Sequence, residues 1–325
     1  MIIDVHSHLF PPEYLERIEK AGGALPRLSA APLHRLTISE RLDLMDSQNV
    51  DLQVLSVGVL QPYATDPRAA SDLAKFANDS YIKTCVDSQS RFAVFAALPL
   101  PDIDAAAAEL DRVANERSVV GVALNSNVLG RQLDDPSLLP LYQVLDERAA
   151  TVFIHPSMTY DGFGDNDFGM NRSVGAMFED TIVTLRLLFS GICARHSRIK
   201  FIVPHLGGTL PFIYGRISRH IDRHEREWRE SGISAPDGIE GLQRFWFDTA
   251  VRHAPALDCA CVTVGHSNLV FGTDYPYLKT TEELAVRIRN IHDLPVPRAD
   301  QDAILGGTAA ALLGIGSAAN INGKR

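Results

Sequence analysis

The chain has 325 residues, 46% apolar and 22% charged, which is ample material for a packed core and too apolar for an intrinsically disordered protein. Its 31 Lys and Arg against 40 Asp and Glu leave a formal charge of −9, which disfavours a nucleic-acid partner because such binding needs a basic face. No apolar run reaches the roughly 18 residues of a bilayer span, and the start lacks the charged, apolar and small-residue succession of a signal peptide.

Taken in order, Ile2–His6 is an apolar run that leads into His-x-His, formed by His6 and His8. In extended backbone, residues two apart face the same side, so both imidazoles can reach one ion. The stretch from Leu9 to Ile38 is too long for a simple connection and carries Arg27, His34 and Arg35. Ser39 has N-cap chemistry for an amphipathic helix over Ser39–Gln48. Strand Leu52–Val57, helix Asp66–Gln89, strand Phe92–Ala97, helix Asp102–Glu116 and strand Val119–Leu124 follow. Asp135-Pro136 then places Pro at the first position of a helix over Pro136–Ala149.

Strand Thr151–His155 ends in His155. After it comes a second long segment, Pro156 to Ser173, rich in Gly, Asp and Asn. Strand Ile199–His205 ends in His205. Strand Phe245–Thr249 carries Asp248, with His253 in the next loop, and Asn268–Asp274 ends in Asp274. Gly316 to Arg325 reads as a polar tail.

The strands are continuously apolar rather than alternating, as when helices or a barrel interior cover both faces. Eight βα units in one pass predict a single (β/α)8 TIM barrel over residues 1–315, followed by the tail at 316–325. An open doubly wound sheet is the structural runner-up. It would carry a Gly-rich phosphate turn after the first strand, where this chain reads His-Ser-His-Leu-Phe. The long loops after strands 1 and 5 fall on the C-terminal face, where barrel active sites are built, and are expected to form the lid and pocket walls.

A lone His at a strand end is usually a hydrogen-bonded structural residue, and His34, His196, His220, His224, His266 and His292 are read that way. His6 and His8 after strand 1, His155 and His205 after strands 5 and 6, and Asp274 after strand 8 are different. All five terminate apolar strands and converge on one rim. Four cysteines suit a reduced, cytoplasmic compartment. Cys259 and Cys261 point about 200° apart around a helix, a poor metal clip, and read as core residues. Five arginines between Arg216 and Arg229 alternate with Asp222, Glu225 and Glu227, as on a solvated helix or a subunit contact.

These segments resemble the amidohydrolase superfamily, in the branch of aminocarboxymuconate-semialdehyde decarboxylase and the hydroxybenzoate decarboxylases. The resemblance covers nearly the whole chain. It rests on Ile-Asp-Val-His-Ser-His at the start, on the stretch at 41–56, and on Phe-Ile-His-Pro at 153–156. It continues in Pro-His-Leu-Gly-Gly-Thr-Leu-Pro-Phe at 204–212, Gly-Arg-Ile at 215–217, Gly-Thr-Asp-Tyr-Pro at 272–276 and Ile-Leu-Gly-Gly-Thr-Ala at 304–309. In the last, Thr308 stands where the branch has Asn, a difference expected to affect only a helix cap.

The resemblance implies His6, His8, His155 and Asp274 as ligands of one divalent ion and His205 as the nearby acid/base, with Asp274 able to deliver a proton as well. Some decarboxylases of the branch have Glu at the first His and tend toward manganese; two early imidazoles favour zinc, with manganese as the alternative. Binuclear relatives place a bridging Lys after strand 4. Here that position reads Val-Gly-Val-Ala-Leu-Asn-Ser-Asn, which implies a mononuclear site.

Two reaction classes share these parts. In a non-oxidative decarboxylation a proton reaches the carbon that bears the carboxylate and CO2 leaves; in a hydrolysis, lactone opening or hydration, metal-bound hydroxide attacks the substrate. The resemblance favours a decarboxylase acting on a small unsaturated or aromatic acid with hydroxy or amino groups. A non-catalytic metal barrel is the remaining reading.

Arg172 stands where aminocarboxymuconate-semialdehyde decarboxylase has a pocket Trp. It can clamp a carboxylate or pair with Asp165 or Asp167. Phe163, Phe168 and Phe178 can pack a planar ring or belong to the core. The branch places a carboxylate-binding Arg in the loop that holds Arg27 and Arg35. Asp248 can orient His205 or cap the helix after strand 7. Members of the branch commonly dimerise with an arginine crossing into the partner's pocket, so a homodimer is expected, with Arg219 and Arg223 as candidates.

Overall fold

The computed structural model describes residues 1–21, 37–159, 167–230, 238–278 and 280–316. The strands are β1 (Ile3–His8), β2 (Leu52–Ser56), β3 (Phe92–Ala97), β4 (Val119–Asn125), β5 (Thr151–His155), β6 (Lys200–Val203), β7 (Phe245–Asp248) and β8 (Leu269–Val270). They form one eight-stranded sheet in sequential order, every pairing parallel. The seam between β1 and the segment after β8 is bridged by hydrogen bonds from Val5 N to Phe271 O (2.9 Å), Asp274 N to His6 O (2.8 Å) and His8 N to Tyr275 O (2.7 Å). This is the (β/α)8 barrel that the run of apolar strands predicts.

The barrel interior is filled by Ile3, Val5, Val54, Ala93, Phe95, Ala123, Phe153, Ile202 and Val270. Ala309, Leu312 and Leu313 of the helix Thr308–Leu313 pack on the same cluster. That helix lies at the strands' N-terminal end, because Thr151 Oγ1 and Lys200 Nζ, at the starts of β5 and β6, both donate to Leu312 O. The bottom is thereby plugged, and the open end is the C-terminal rim.

Local chemistry starts several helices. Asp66 and Asp102 cap the helices Pro67–Asp87 and Ala105-containing Ile103–Val113 through their carboxylates. Thr37 and Glu40 form a capping box for Ile38–Ser47, so the cap lies two residues ahead of the Ser39 cap read from the sequence. Within the long segment after β1, Pro12–Lys20 is a helix rather than plain loop. A short antiparallel hairpin, Asn127–Val128 with Arg131–Gln132, follows β4 and was not anticipated. Among the described residues no helix is long and apolar enough to cross a membrane.

Candidate metal centre and active site

The pairing of β1 with β2 is irregular between Asp4 and Ser7. Ile3 and Val5 face the barrel interior, and past the irregularity His6 faces it too, its ring 5.0 Å from that of interior Phe153. Such irregularities re-aim side chains. His8, two residues on, keeps the same side, and the two Nε2 atoms lie 3.1 Å apart. His155, two residues beyond Phe153 on β5, brings its ring centroid to 5.4 Å from that of His6 and 4.8 Å from that of His8. Asp274 completes the group, with Oδ1 3.1 Å from both His6 Nε2 and His8 Nε2. One ligand atom from each of His6, His8, His155 and Asp274 lies within 4.8 Å of all the others.

Every imidazole of this group is held from behind by its other nitrogen. His6 Nδ1 meets Asp248 Oδ2 at 2.7 Å, His8 Nδ1 meets Ser56 Oγ at 2.9 Å, and His155 Nδ1 donates to Pro156 O at 2.8 Å. The Nε2 atoms are left for the centre, which is how ligating histidines are oriented. Burial lowers His8, and burial with the neighbouring imidazoles takes His155 well below its ordinary value, so both present lone pairs. Burial would lower His6 as well, but Asp248 and Asp274 outweigh it and raise it to about 9. Nitrogen lone pairs and a carboxylate oxygen at 3.1 Å repel unless a proton or a cation lies between them. Three imidazoles and one carboxylate therefore fit a single divalent ion.

The sequence reading ran the last strand to Asp274, but regular pairing ends at Val270. Asp274 instead sits on a turn at φ +58°. A buried polar chain sets that turn. Arg41 Nη1 donates to His8 O (2.9 Å), Arg41 Nε to Gln53 Oε1 (2.7 Å), and Gln53 Nε2 to Asp4 Oδ2 (2.7 Å). Asp4 in turn accepts from Thr273 N at 2.9 Å and Thr273 Oγ1 at 2.6 Å. β1, β2 and the Asp274 turn are thus fastened together directly behind the imidazoles.

His205 also lies past its strand, at φ +52°, a left-handed conformation that costs a non-glycine residue about 1–3 kcal/mol. Its amide donates to Asp248 Oδ1 at 2.9 Å. Its Nδ1 meets Asp180 Oδ2 at 2.9 Å, and its Nε2 is 3.6 Å from Asp274 Oδ2. Burial would lower His205, but Asp180 and Asp274 outweigh it and raise it well above the ordinary value. Asp180, 0% exposed, is pushed up by burial to about 6, with His205 opposing. The proton of this pair rests on His205.

Two sequence expectations change here. Asp248 was read as orienting His205 or capping the next helix; it holds the ring of His6 and only the backbone of His205, and the helix Ala254–Val264 has no side-chain cap. The ring of His205 is oriented by Asp180, which sequence reasoning missed. Asp180 lies inside the helix Ala176–Phe189, where a carboxylate ordinarily reads as a solvated face.

The substrate candidates are less gathered. Arg172 is exposed on a π-helical turn, Asn171–Gly175, and its charge acts on Tyr277, whose ring centroid is 6.3 Å from that of His8. Phe168 is 96% exposed at φ +60°, so it does not pack a ring-binding wall as expected. Arg27, His34, Arg35, Phe163 and Asp165 lie outside the described residues. Glu179 ties the start of the loop after β5 to its helix, accepting from Ser157 N at 2.6 Å, Thr159 N at 2.7 Å and Ser126 Oγ at 2.5 Å. One cavity of about 560 Å³ is lined in part by His205, Arg252 and His253; a second of the same volume is lined by none of the four donor residues but by Asn125 at the end of β4 and by residues that follow β2 and β5, among others.

Position 125 at the end of β4 is Asn, with no Lys beside it. Among the described residues no second group of His, Cys, Asp and Glu gathers donor atoms as this one does. Cys261 is buried as expected, whereas Cys259 is exposed and is not a core residue.

A family model described as Amidohydrolase matches residues 3–315. A 2-amino-3-carboxymuconate-6-semialdehyde decarboxylase of Dictyostelium discoideum is 29% identical over 276 residues, covering 85% of this chain and 76% of that protein. A 2-keto-4-carboxy-3-hexenedioate hydratase of Sphingobium sp. is 25% identical over 297 residues, covering 84% and 83%. Among solved structures, a dihydroxybenzoic acid decarboxylase of Polaromonas sp. with bound manganese and 2-nitroresorcinol superposes with a TM-score of 0.81 at 23% identity, over 99% of both chains.

Proposed function

The chain belongs to the amidohydrolase family, and from its site we propose that it is a metal-dependent, non-oxidative decarboxylase of a small unsaturated or aromatic acid bearing hydroxy or amino groups. The observation that carries this reading is the His6, His8, His155 and Asp274 cluster with the His205–Asp180 pair at its edge. The decarboxylase relative from Dictyostelium supports it.

In this reading His6, His8, His155 and Asp274 hold one divalent ion, which supplies a Lewis acid for the substrate's oxygen atoms. Zinc suits three imidazoles and a carboxylate; the manganese of the Polaromonas enzyme makes that ion the alternative. Asp180 keeps His205 oriented and protonated. His205 Nε2, 3.6 Å from Asp274 Oδ2, passes its proton to that carboxylate, and Asp274 delivers it to the carbon that bears the substrate carboxylate. The bond to CO2 then breaks, its electron pair remains with the ring or alkene, and His205 recovers a proton from solvent. One proton is consumed for each CO2 released.

Arg172, exposed where its charge acts on Tyr277, clamps a substrate carboxylate, a role that Arg35 shares on the family resemblance. The same reading takes residues 1–315 as the one barrel domain, 316–325 as a tail, and the working unit as a cytoplasmic homodimer.

Hydration is the second reading, favoured by the Sphingobium relative named as a hydratase. The two separate on one panel of hydroxybenzoates, aminobenzoates and unsaturated diacids in 18O-labelled water. A decarboxylase releases CO2 and leaves no label bonded to carbon in the product; a hydratase places label on carbon and releases no CO2.

A further inference from the structure

The helix Leu210–Glu230 leads away from the His205 turn and carries two histidines one helical turn apart, His220 and His224. At 1.5 Å per residue, His220 lies about 15 Å along the axis from the start of that helix. The spacing His-Ile-Asp-Arg-His puts both imidazoles on one face, because residues four apart in a helix are neighbours. Their ring centroids are 4.3 Å apart. The three histidines of the metal centre stand 4.8 to 5.4 Å apart by the same measure, so this pair is gathered at least as tightly. Imidazoles bound to one ion at about 2.0 Å and about 90° have centroids about 4.5 Å apart.

The rings are also held as ligating histidines are. His224 Nδ1 donates to His220 O at 2.9 Å, which commits the ring hydrogen to Nδ1 and leaves a lone pair at Nε2. Pro156 O imposes the same arrangement on His155. Trp228, a further turn along, packs on both rings, its centroid 5.4 Å from that of His220 and 6.2 Å from that of His224. Phe189 of the helix Ala176–Phe189 backs Trp228 at 5.1 Å. His220 is exposed and His224 half-buried, so the pair is reached from solvent.

We propose that His220 and His224 form a second metal site, a two-imidazole clip on the outer surface of the barrel. It takes a borderline divalent ion, copper(II) before nickel(II) or zinc, with water completing the shell. Imidazole donors favour those ions in that order, whereas magnesium seeks oxygen. Histidines at this spacing hold zinc in the H-E-x-x-H motif, where the glutamate is the general base. Here Ile-Asp-Arg fills the interval, so the site binds an ion without the base for hydrolysis. It stands independently of the proposed decarboxylation.

The test is titration of copper(II) into protein whose centre already holds one zinc per chain. Ions are counted by equilibrium dialysis and tryptophan emission is followed throughout. Copper quenches a tryptophan beside it. Of the two tryptophans, Trp228 packs on the pair and Trp246 lies on β7. One copper should add per chain with the zinc retained, and quenching should follow copper occupancy. His220→Gln and His224→Gln should each weaken binding by about tenfold or more while zinc stays at one per chain. Nickel should bind more weakly than copper, and magnesium should not bind. A total that stays at one ion per chain, affinity that either substitution leaves unchanged, or an added copper that does not quench would overturn the site. His220 is exposed, so H220Q alone decides if H224Q disturbs the packing on Trp228.

Discussion

Asp180 Oδ2 lies 2.9 Å from Nδ1 of His205, joining a carboxylate inside one helix to an imidazole that stands past the end of β6. The contact orients the ring and favours its protonated form, so that Nε2 points its proton toward Asp274. Asp180→Asn keeps the shape and removes the charge. We expect turnover to fall on the order of 10²-fold with metal content unchanged, measured as CO2 release per bound ion. Full activity would remove the pair from proton transfer.

Asp248 serves three partners with two oxygens, Oδ2 on His6 Nδ1 and Oδ1 on the amides of His205 and Ala250. Asp248→Asn can keep the second role while losing the anionic partner of His6. Metal affinity should drop by about 10- to 100-fold in competition with a chelator. Unchanged affinity would show that His6 needs no such support.

Gly58 has φ +53°, and a Cβ there would meet His8 Nδ1 at 2.8 Å. Gly58→Ala should cost about 1–2 kcal/mol from backbone conformation. It should also turn the His8 ring away from the centre. Denaturant unfolding reads the first effect and metal content the second. A variant with wild-type metal content contradicts the assigned packing.

Without an ion, His6 is raised to about 9 and is protonated at pH 7.5. Metal binding needs that nitrogen's lone pair, so uptake at pH 7.5 should release a proton, and affinity should rise with pH until about 9 before levelling. Calorimetry in buffers of different ionisation enthalpy measures the release. Heats that are independent of the buffer would contradict it.

The barrel and the convergence of His6, His8 and His155 are legible in the sequence because both rest on local rules, while the choice of four ligands among five rim groups comes with the family resemblance. Continuous apolar strands report a covered parallel sheet, and His155 at the end of Thr151–His155 is aimed by the same alternation as Phe153. His6 and His8 share a side because two residues of extended chain separate them. What stays hidden depends on contacts distant in sequence. Asp274 is placed by Asp4, 270 positions earlier, and Asp180 gives no signal inside an ordinary helix. Phe168 and Arg172 are placed by the family resemblance and by chemical type, with no contact to aim them, and both are exposed.

The central claim is that this cluster drives release of CO2. The most direct test is to strip the protein with a chelator, titrate zinc and manganese back separately, and follow CO2 release from hydroxy- and aminobenzoates and muconate-type acids. The account predicts release that rises linearly with bound ion and stops at one ion per chain. Protein filled to one ion per chain that releases no CO2 from any of these acids would contradict it.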